Sequence, residues 1–201
     1  MVCVGIITIP HKKHYMKDII TLCKNNNIDI IIIPYSTKDY TYVNKINGFI
    51  IPGTHNGDTN YLLTHSFIKT VTTHIVLCLH KNIPIWGICF GFQVLLSIVG
   101  NITLTKHPSK GMHPIHIQKS NIFTSNQMTF HNHTYGISVH DFKKNVELSR
   151  FYNISATAID DNNKEYVAGI EAKHYPIYGT QWHPEKDTNH IFITFFKSKL
   201  T

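Results

Sequence analysis

The sequence predicts an α/β fold with a mostly parallel central sheet, covered by helices on both faces, and additional antiparallel strands in its C-terminal half. Three observations carry this reading. Strand-like and helix-like stretches alternate between residues 2 and 99. The strand-like stretches are continuously apolar, as expected of strands buried on both faces. After Gly100 the pattern changes to short alternating stretches, which is how antiparallel strands with one wet face read.

Val2 to Ile9 is apolar and β-branched and predicts a first buried strand. Lys17 to Lys24 has helical spacing, with Ile19, Ile20 and Cys23 on one side. Ile28 to Pro34 is a continuous apolar run and predicts a second buried strand; Gly48 to Ile51 predicts a third. Tyr61 to His80 reads as helix, Ile83 to Ile88 as a short strand and Phe90 to Val99 as a helix. Strands are then expected at Ile115–Ile117, Ile137–Val139, Ile154–Ala158, Tyr166–Glu171 and Ile177–Trp182, followed by a helix over about Asn189 to Lys199. With no repeat, low-complexity tract or linker, one domain over residues 1–201 is the economical expectation.

The chain is 42% hydrophobic and 15% charged, enough apolar surface to fold without staples, and this excludes a disordered chain. Cys3, Cys23, Cys78 and Cys89 are spread along it with no CxxC pair, so neither a metal knuckle nor a disulfide framework is expected. The opening MVCVGIITIP reads as a strand rather than a basic, cleavable leader. The longest apolar run, Ile28 to Pro34, contains Asp29 and is too short for a bilayer span. A cytoplasmic protein with no membrane partner is the expectation. The formal charge is +7, yet the basic residues are scattered pairs such as Lys12-Lys13 and Lys143-Lys144. No dense arginine run is interleaved with aromatics, so no nucleic-acid partner is expected; a basic surface would instead draw anionic substrates.

Two segments carry chemistry. In Ile83-Pro-Ile-Trp-Gly-Ile-Cys-Phe-Gly-Phe-Gln a strand runs into Gly87-Ile88-Cys89-Phe90-Gly91 and a helix starts at once. This is the cysteine form of the strand-to-helix nucleophile turn, whose tight backbone needs small residues two before and two after the nucleophile. The helix start would favour the Cys89 thiolate and aim the Phe90 N–H at a developing oxyanion. A cysteine between two glycines is by itself a weak signal; a buried structural cysteine would look the same. The second segment is Tyr178-Gly-Thr-Gln-Trp-His-Pro-Glu-Lys. In extended chain His183 and Glu185 lie on one face, so the carboxylate can orient an imidazole that serves the thiol as base and later as acid. With 15 histidines in the chain, any one alone is more often structural. The two segments together are specific.

On these segments, and on Asn47-Gly-Phe-Ile-Ile-Pro-Gly, the chain resembles class I glutamine amidotransferase-like proteins and, among them, the γ-glutamyl hydrolase family. The middle segment, His133-Thr-Tyr-Gly-Ile-Ser-Val followed by Phe151-Tyr-Asn-Ile, resembles that family's substrate-side segment. The resemblance implies a flavodoxin-like three-layer sandwich with the site at the carboxyl ends of the strands. It implies a γ-glutamyl thioester at Cys89, with His183 as general base and acid, and Glu185 orienting it. Phe90, Gly53 and Thr54 would form the oxyanion hole, and His133 and Gln93 the substrate side, although His131 competes with His133 for that role. No cofactor or metal is implied. The substrate would be a small anionic γ-glutamyl compound, folate poly-γ-glutamates above all, and the resemblance leaves room for a homodimer.

Two departures matter. The family shows Pro-Gly-Gly where this chain has Pro52-Gly53-Thr54. If the loop needs a positive φ at Thr54, a β-branched residue compromises the oxyanion hole, or the loop is rearranged around His55-Asn56-Gly57. Four residues after the nucleophile stands Gln93, where the hydrolases more often have Glu and ammonia-producing glutaminases have Gln. A glutaminase subunit of an amidotransferase, or an inactive interaction protein that kept the fold, are therefore the alternatives.

Overall fold

The computed structural model describes residues 2–10, 16–54, 66–187 and 191–198 of the 201. Its strands form one nine-stranded sheet in the order β2-β1-β3-β4-β9-β8-β7-β5-β6. β1 (Cys3–Ile7), β2 (Asp29–Ile33), β3 (Gly48–Ile51), β4 (Ile85–Ile88) and β9 (Ile177–Thr180) pair in parallel. β8 (Glu165–Ala172), β7 (Tyr152–Ile159), β5 (Thr105–Ile117) and β6 (Gln127–Gly136) continue the sheet antiparallel.

The continuous apolar runs divide their side chains between the two faces. Ile7, Phe49, Ile51 and Ile85 enter one core cluster with Phe67 and Val71 of α2 (Ser66–His80) and Phe92 and Leu96 of α3 (Phe90–Gly100). Val4, Ile6, Ile50, Trp86 and Ile88 enter the other, with Ile19 of α1 (Met16–Asn25) and Phe192 and Phe196 of α6 (Ile191–Ser198). A sheet between two helical layers is the three-layer α/β sandwich that the sequence predicts.

Three differences have physical reasons. β2 is not a fully buried strand: it is the sheet's edge, and Ile32 is 41% exposed. Ile137–Val139 forms no strand; Ser138 makes a single bridge to Tyr166 and caps α4 (Val139–Lys144) by accepting from the Asp141 N–H. Asn145 caps the following α5 (Val146–Phe151) in the same way through the Leu148 N–H. Finally, Ile115–Ile117 is only the end of a 13-residue strand. β5 and β6 form a long ribbon of which only Ile115–Ile117 pairs with β7. It carries Lys106, Pro108, Lys110, Gly111 and Pro114, and so shows no apolar alternation. The predicted helix stretches over 61–65 and 189–190 lie outside the described residues.

Candidate active site

The site forms where β4 and β9 end side by side. Their register pairs Ile88 with Thr180, and the Cys89 N–H donates to the Thr180 carbonyl at 2.7 Å. Cys89 has φ 51° and ψ −99°, a left-handed conformation that only a tight turn demands of a non-glycine residue. It stands at the start of α3 and is 4% exposed. The flanking glycines are required by space. A Cβ on Gly87 would lie 2.5 Å from the Gly91 carbonyl oxygen, and one on Gly91 would lie 1.9 Å from that of Ile51.

Beyond β9 the chain places His183 against this turn. Its N–H donates to the Phe130 carbonyl at 2.9 Å, so the β5–β6 ribbon anchors it from the far side. Its Nδ1 lies 2.7 Å from Glu185 Oε1, with the two side chains 7% and 5% exposed. Burial alone would lower the His183 pKa. The Glu185 carboxylate, the Cys89 charge and hydrogen bonds to both outweigh burial and hold it well above its ordinary value.

Gly53 closes the group. A Cβ there would lie 3.2 Å from His183 Cε1 and 3.4 Å from Cys89 Cβ, so the backbone after β3 runs against both. Thr54 follows, 9% exposed, and neither it nor Gly53 takes a positive φ. The condition under which a β-branched residue would damage this loop is therefore not met at Thr54. Residues 55–57, the other part of that expectation, lie outside the described residues. Phe90 is fully buried at the first position of α3.

Gln93 is 1% exposed and lies beneath the nucleophile. Its Nε2 donates to the Tyr135 carbonyl at 2.8 Å and to Gln181 Oε1 at 3.2 Å, and Gln181 Nε2 in turn reaches Cys89 Sγ at 3.7 Å. It meets Cys89 through Gln181 rather than facing solvent. His133 lies on β6 with its Nε2 3.3 Å from the Tyr166 hydroxyl, and it feels the charge of His183. His131, two residues earlier, is fully buried and bonded to the same hydroxyl.

Several residues of this site carry no individual mark in the sequence. The extended chain expected from His183 to Glu185 is not formed: Pro184–Lys186 is a 3-10 helix begun by the Pro184 ring, and it is this turn that returns Glu185 to His183. Asp187 accepts from Trp182 Nε1 at 3.1 Å, and burial raises its carboxyl to about 6, against opposing contributions from the Phe130 backbone, Trp182 and His183. Tyr166 and Asp187 had no spacing signal. Among the described residues no group of three or more His, Cys, Asp or Glu side chains could hold a metal ion, and no helix is long and apolar enough to cross a membrane.

Comparison with known proteins agrees with this fold. A family model described as glutamine amidotransferase class-I matches residues 9–198. Gamma-glutamyl hydrolase B of Dictyostelium discoideum is 28% identical over 91% of this chain and 62% of its own length. Gamma-glutamyl hydrolase of Rattus norvegicus is 31% identical over 73% of this chain and 51% of its own. The chain thus spans about half to three-fifths of the length of these curated relatives. The glutaminase domain of Trypanosoma brucei CTPS, solved with bound acivicin, superposes with a TM-score of 0.75 at 13% identity, covering 100% of this chain and 94% of that one.

Proposed function

The chain belongs to the glutamine amidotransferase class-I family, and from that premise we propose that it is a cysteine hydrolase of γ-glutamyl amide bonds. One observation carries the reading: a cysteine held at positive φ in a strand-to-helix turn stands with a histidine against the same point of the Gly53 backbone, and the Nδ1 of that histidine is paired with a buried carboxylate. That is the constellation thiol acyl transfer requires.

The chemistry follows from the order of the groups. His183 takes the thiol proton, and the Cys89 sulfur attacks the γ-carbonyl carbon. The negative charge moves to the carbonyl oxygen, where the N–H groups of Phe90 and of the Gly53–Thr54 turn would meet it. The C–N bond breaks as the imidazolium returns its proton to the leaving amine, and a γ-glutamyl thioester remains on Cys89. Water, deprotonated by His183, attacks the thioester and releases the γ-carboxylate and the thiol. Glu185 keeps Nδ1 protonated throughout, so Nε2 stays directed at the reacting atoms. Gln181, held by Gln93, directs its amide N–H toward the sulfur.

The relatives named gamma-glutamyl hydrolase support γ-glutamyl bonds as the target, and poly-γ-glutamate tails, as on folates, are the substrate class that the resemblance of the His133 segment implies. The net charge of +7 suits such anions. Gln93 keeps a second reading in view, a glutaminase that hands on ammonia. Purified protein and its Cys89→Ala variant, incubated with a pteroyl-polyglutamate and separately with glutamine, decide between them. Tail shortening by the wild type alone is expected. Ammonia release from glutamine alone would replace the hydrolase reading by the glutaminase one, and inactivity toward both would remove catalysis.

A further inference from the structure

The turn that carries His183 and Glu185 is closed by a side chain that the mechanism does not use. Trp182 Nε1 donates to Asp187 Oδ2 at 3.1 Å. This one hydrogen bond ties the residue before the histidine to the residue after the 3-10 helix Pro184–Lys186. Inside the clasp the Lys186 N–H donates to the His183 carbonyl at 3.0 Å, and the Asp187 N–H to the Pro184 carbonyl at 3.2 Å. The Trp182 end is fixed in the core. That side chain is fully buried, its ring stands edge-on to Phe123 with centroids 5.2 Å apart, and its carbonyl accepts from Thr180 Oγ1 at 3.2 Å.

An indole N–H needs only an acceptor, and a neutral amide would supply one. A carboxyl group at this place adds a charge. Each of the two carboxylates gives one oxygen to the turn, Glu185 Oε1 to His183 and Asp187 Oδ2 to Trp182. The other two, Glu185 Oε2 and Asp187 Oδ1, are buried with no hydrogen-bond partner among the described residues. Carboxylates left half-satisfied repel each other, and a protonated imidazole relieves both.

Both effects act on Asp187. Burial comes first and raises its carboxyl, to about 6; the Phe130 backbone and the Trp182 bond lower it, the Glu185 charge raises it and the His183 charge lowers it. The elements packed against the turn bring little other charge. Lys186 is paired with Asp18 of α1 at 3.4 Å and lies over the Phe130 ring of β6. Lys17 of α1 and Lys197 of α6 are exposed. His131 of β6, its ring 6.4 Å from that of Trp182, is neutral, because burial above all pushes it down to about 2.

We propose that Asp187 is a positioning residue of the catalytic pair: as a carboxylate it clasps Trp182 across the turn, which keeps Glu185 at His183 Nδ1, and it adds a second negative charge that favours the imidazolium over the neutral ring. The inference rests on the reading of Cys89 and His183 as the reacting pair, since the imidazolium matters only to the thiol it serves. It gives hydrolysis an acid limit that does not belong to the triad. Below about pH 6 Asp187 takes a proton, and the thiolate–imidazolium pair loses one of the two carboxylates that sustain it.

Carbon spectra of the 13C-aspartate-labelled protein test the charge without any turnover. The Asp187 carboxyl signal, identified by its loss in Asp187→Asn, should titrate at about pH 6. In Trp182→Phe, which takes a donor from the charged form, it should titrate about one unit higher. The His183 ring, identified by the loss of its proton signal in His183→Gln, should titrate about half a unit to one unit lower in Asp187→Asn. Toward a γ-glutamyl substrate at about pH 7.5 that variant should lose about three- to tenfold in kcat with KM changed less than about twofold. Its remaining activity should run level from about pH 5 to 6.5, where that of the wild type falls off. Asparagine keeps the acceptor for the indole, so a clasp of purely structural worth would leave the ring titration and the acid limb in place. Trp182→Phe supplies the readout if Asp187→Asn fails to fold, because its acid limb should lie about one unit above that of the wild type. An Asp187 carboxyl that titrates at about 4, the ordinary value, or a His183 titration and an acid limb unmoved in Asp187→Asn, would overturn the proposal. Carboxyl and ring titrations that behave as stated, with no hydrolysis by the wild type, would remove the hydrolase reading and leave the hold of Asp187 on His183 standing.

Discussion

Glu185→Gln is the substitution that tests the triad most sharply. The amide keeps an acceptor where Glu185 Oε1 lies, 2.7 Å from His183 Nδ1, and removes only the charge. Both side chains are nearly buried, so little solvent replaces what is lost. A hydrogen bond to a charged group contributes roughly 1.5–3 kcal/mol, and one pKa unit corresponds to about 1.4 kcal/mol. The His183 pKa should therefore fall by about one to two units. The alkaline limb of kcat/KM, which follows loss of the imidazolium proton, should move down by the same amount. On the same scale kcat should fall about 10- to 100-fold.

The same substitution has a stability signature with a definite sign. The folded pKa of His183 is raised, so its contribution is complete below the unfolded value, about 6.5, and is lost as pH rises through the folded pKa. The gap in Tm between wild type and Glu185→Gln should be widest at about pH 5–6.5, on the order of 5 °C, and should close in alkaline solution. Both quantities are measurable, the first by product release from a γ-glutamyl substrate across pH, the second by thermal unfolding. An alkaline limb that stays in place, with a Tm gap independent of pH, would refute the charge-paired histidine.

Thr54→Gly addresses the departure from the Pro-Gly-Gly pattern. Since Thr54 does not take a positive φ, glycine relieves no strain; it should cost about 0.5–1 kcal/mol of stability by freeing the unfolded chain, and kcat should change less than about threefold. A tenfold gain in kcat would mean that Thr54 restrains the oxyanion loop. Gln181→Leu removes the N–H that lies 3.7 Å from Cys89 Sγ and should slow alkylation of Cys89 by iodoacetamide at neutral pH about three- to tenfold, a lost hydrogen bond's worth; unchanged alkylation would show that the amide does not act on the sulfur. Gly91→Ala places a methyl 1.9 Å from the Ile51 carbonyl oxygen, and thermal unfolding should show a loss of about 3 kcal/mol or more. A stable, fully active Gly91→Ala protein would contradict the close approach of β3 to the nucleophile turn.

The parallel half of the sheet was legible because strands buried on both faces leave no choice of residue: every position from Ile85 to Ile88 is buried. The same rule over-read Ile28 to Pro34, since an edge strand can keep an apolar run while half of it is wet. The β5–β6 ribbon was illegible for the opposite reason. Of its first five residues only His107 and Ser109 are buried, and both are polar, so the inward face carries no hydrophobic period. Cys89, His183 and Glu185 were readable because each sits in a local pattern with a steric or geometric cause. Tyr166 and His131 were not, because their relation exists only after β8 and β6 have been brought together across distant parts of the sequence.

The sheet's change of direction at β9 explains why these local patterns meet. β9 is parallel to β4 on one side and antiparallel to β8 on the other. Its parallel side sets Thr180 beside Ile88, so whatever follows β9 must emerge next to the residue that follows β4, namely Cys89. Its antiparallel side holds it to β8, where the Gln181 N–H donates to the Ala168 carbonyl at 2.7 Å. The chain then runs from Gln181 to His183, whose N–H is held by the Phe130 carbonyl of the ribbon, and turns into a 3-10 helix, Pro184–Lys186, that carries Glu185 back to the imidazole. Because β8 and β9 are antiparallel, residues 173–176 suffice to join them; a parallel pair would have needed a crossover there of a dozen or more residues. The ribbon, which the sequence did not reveal, is thus what anchors the backbone of His183 beside Cys89.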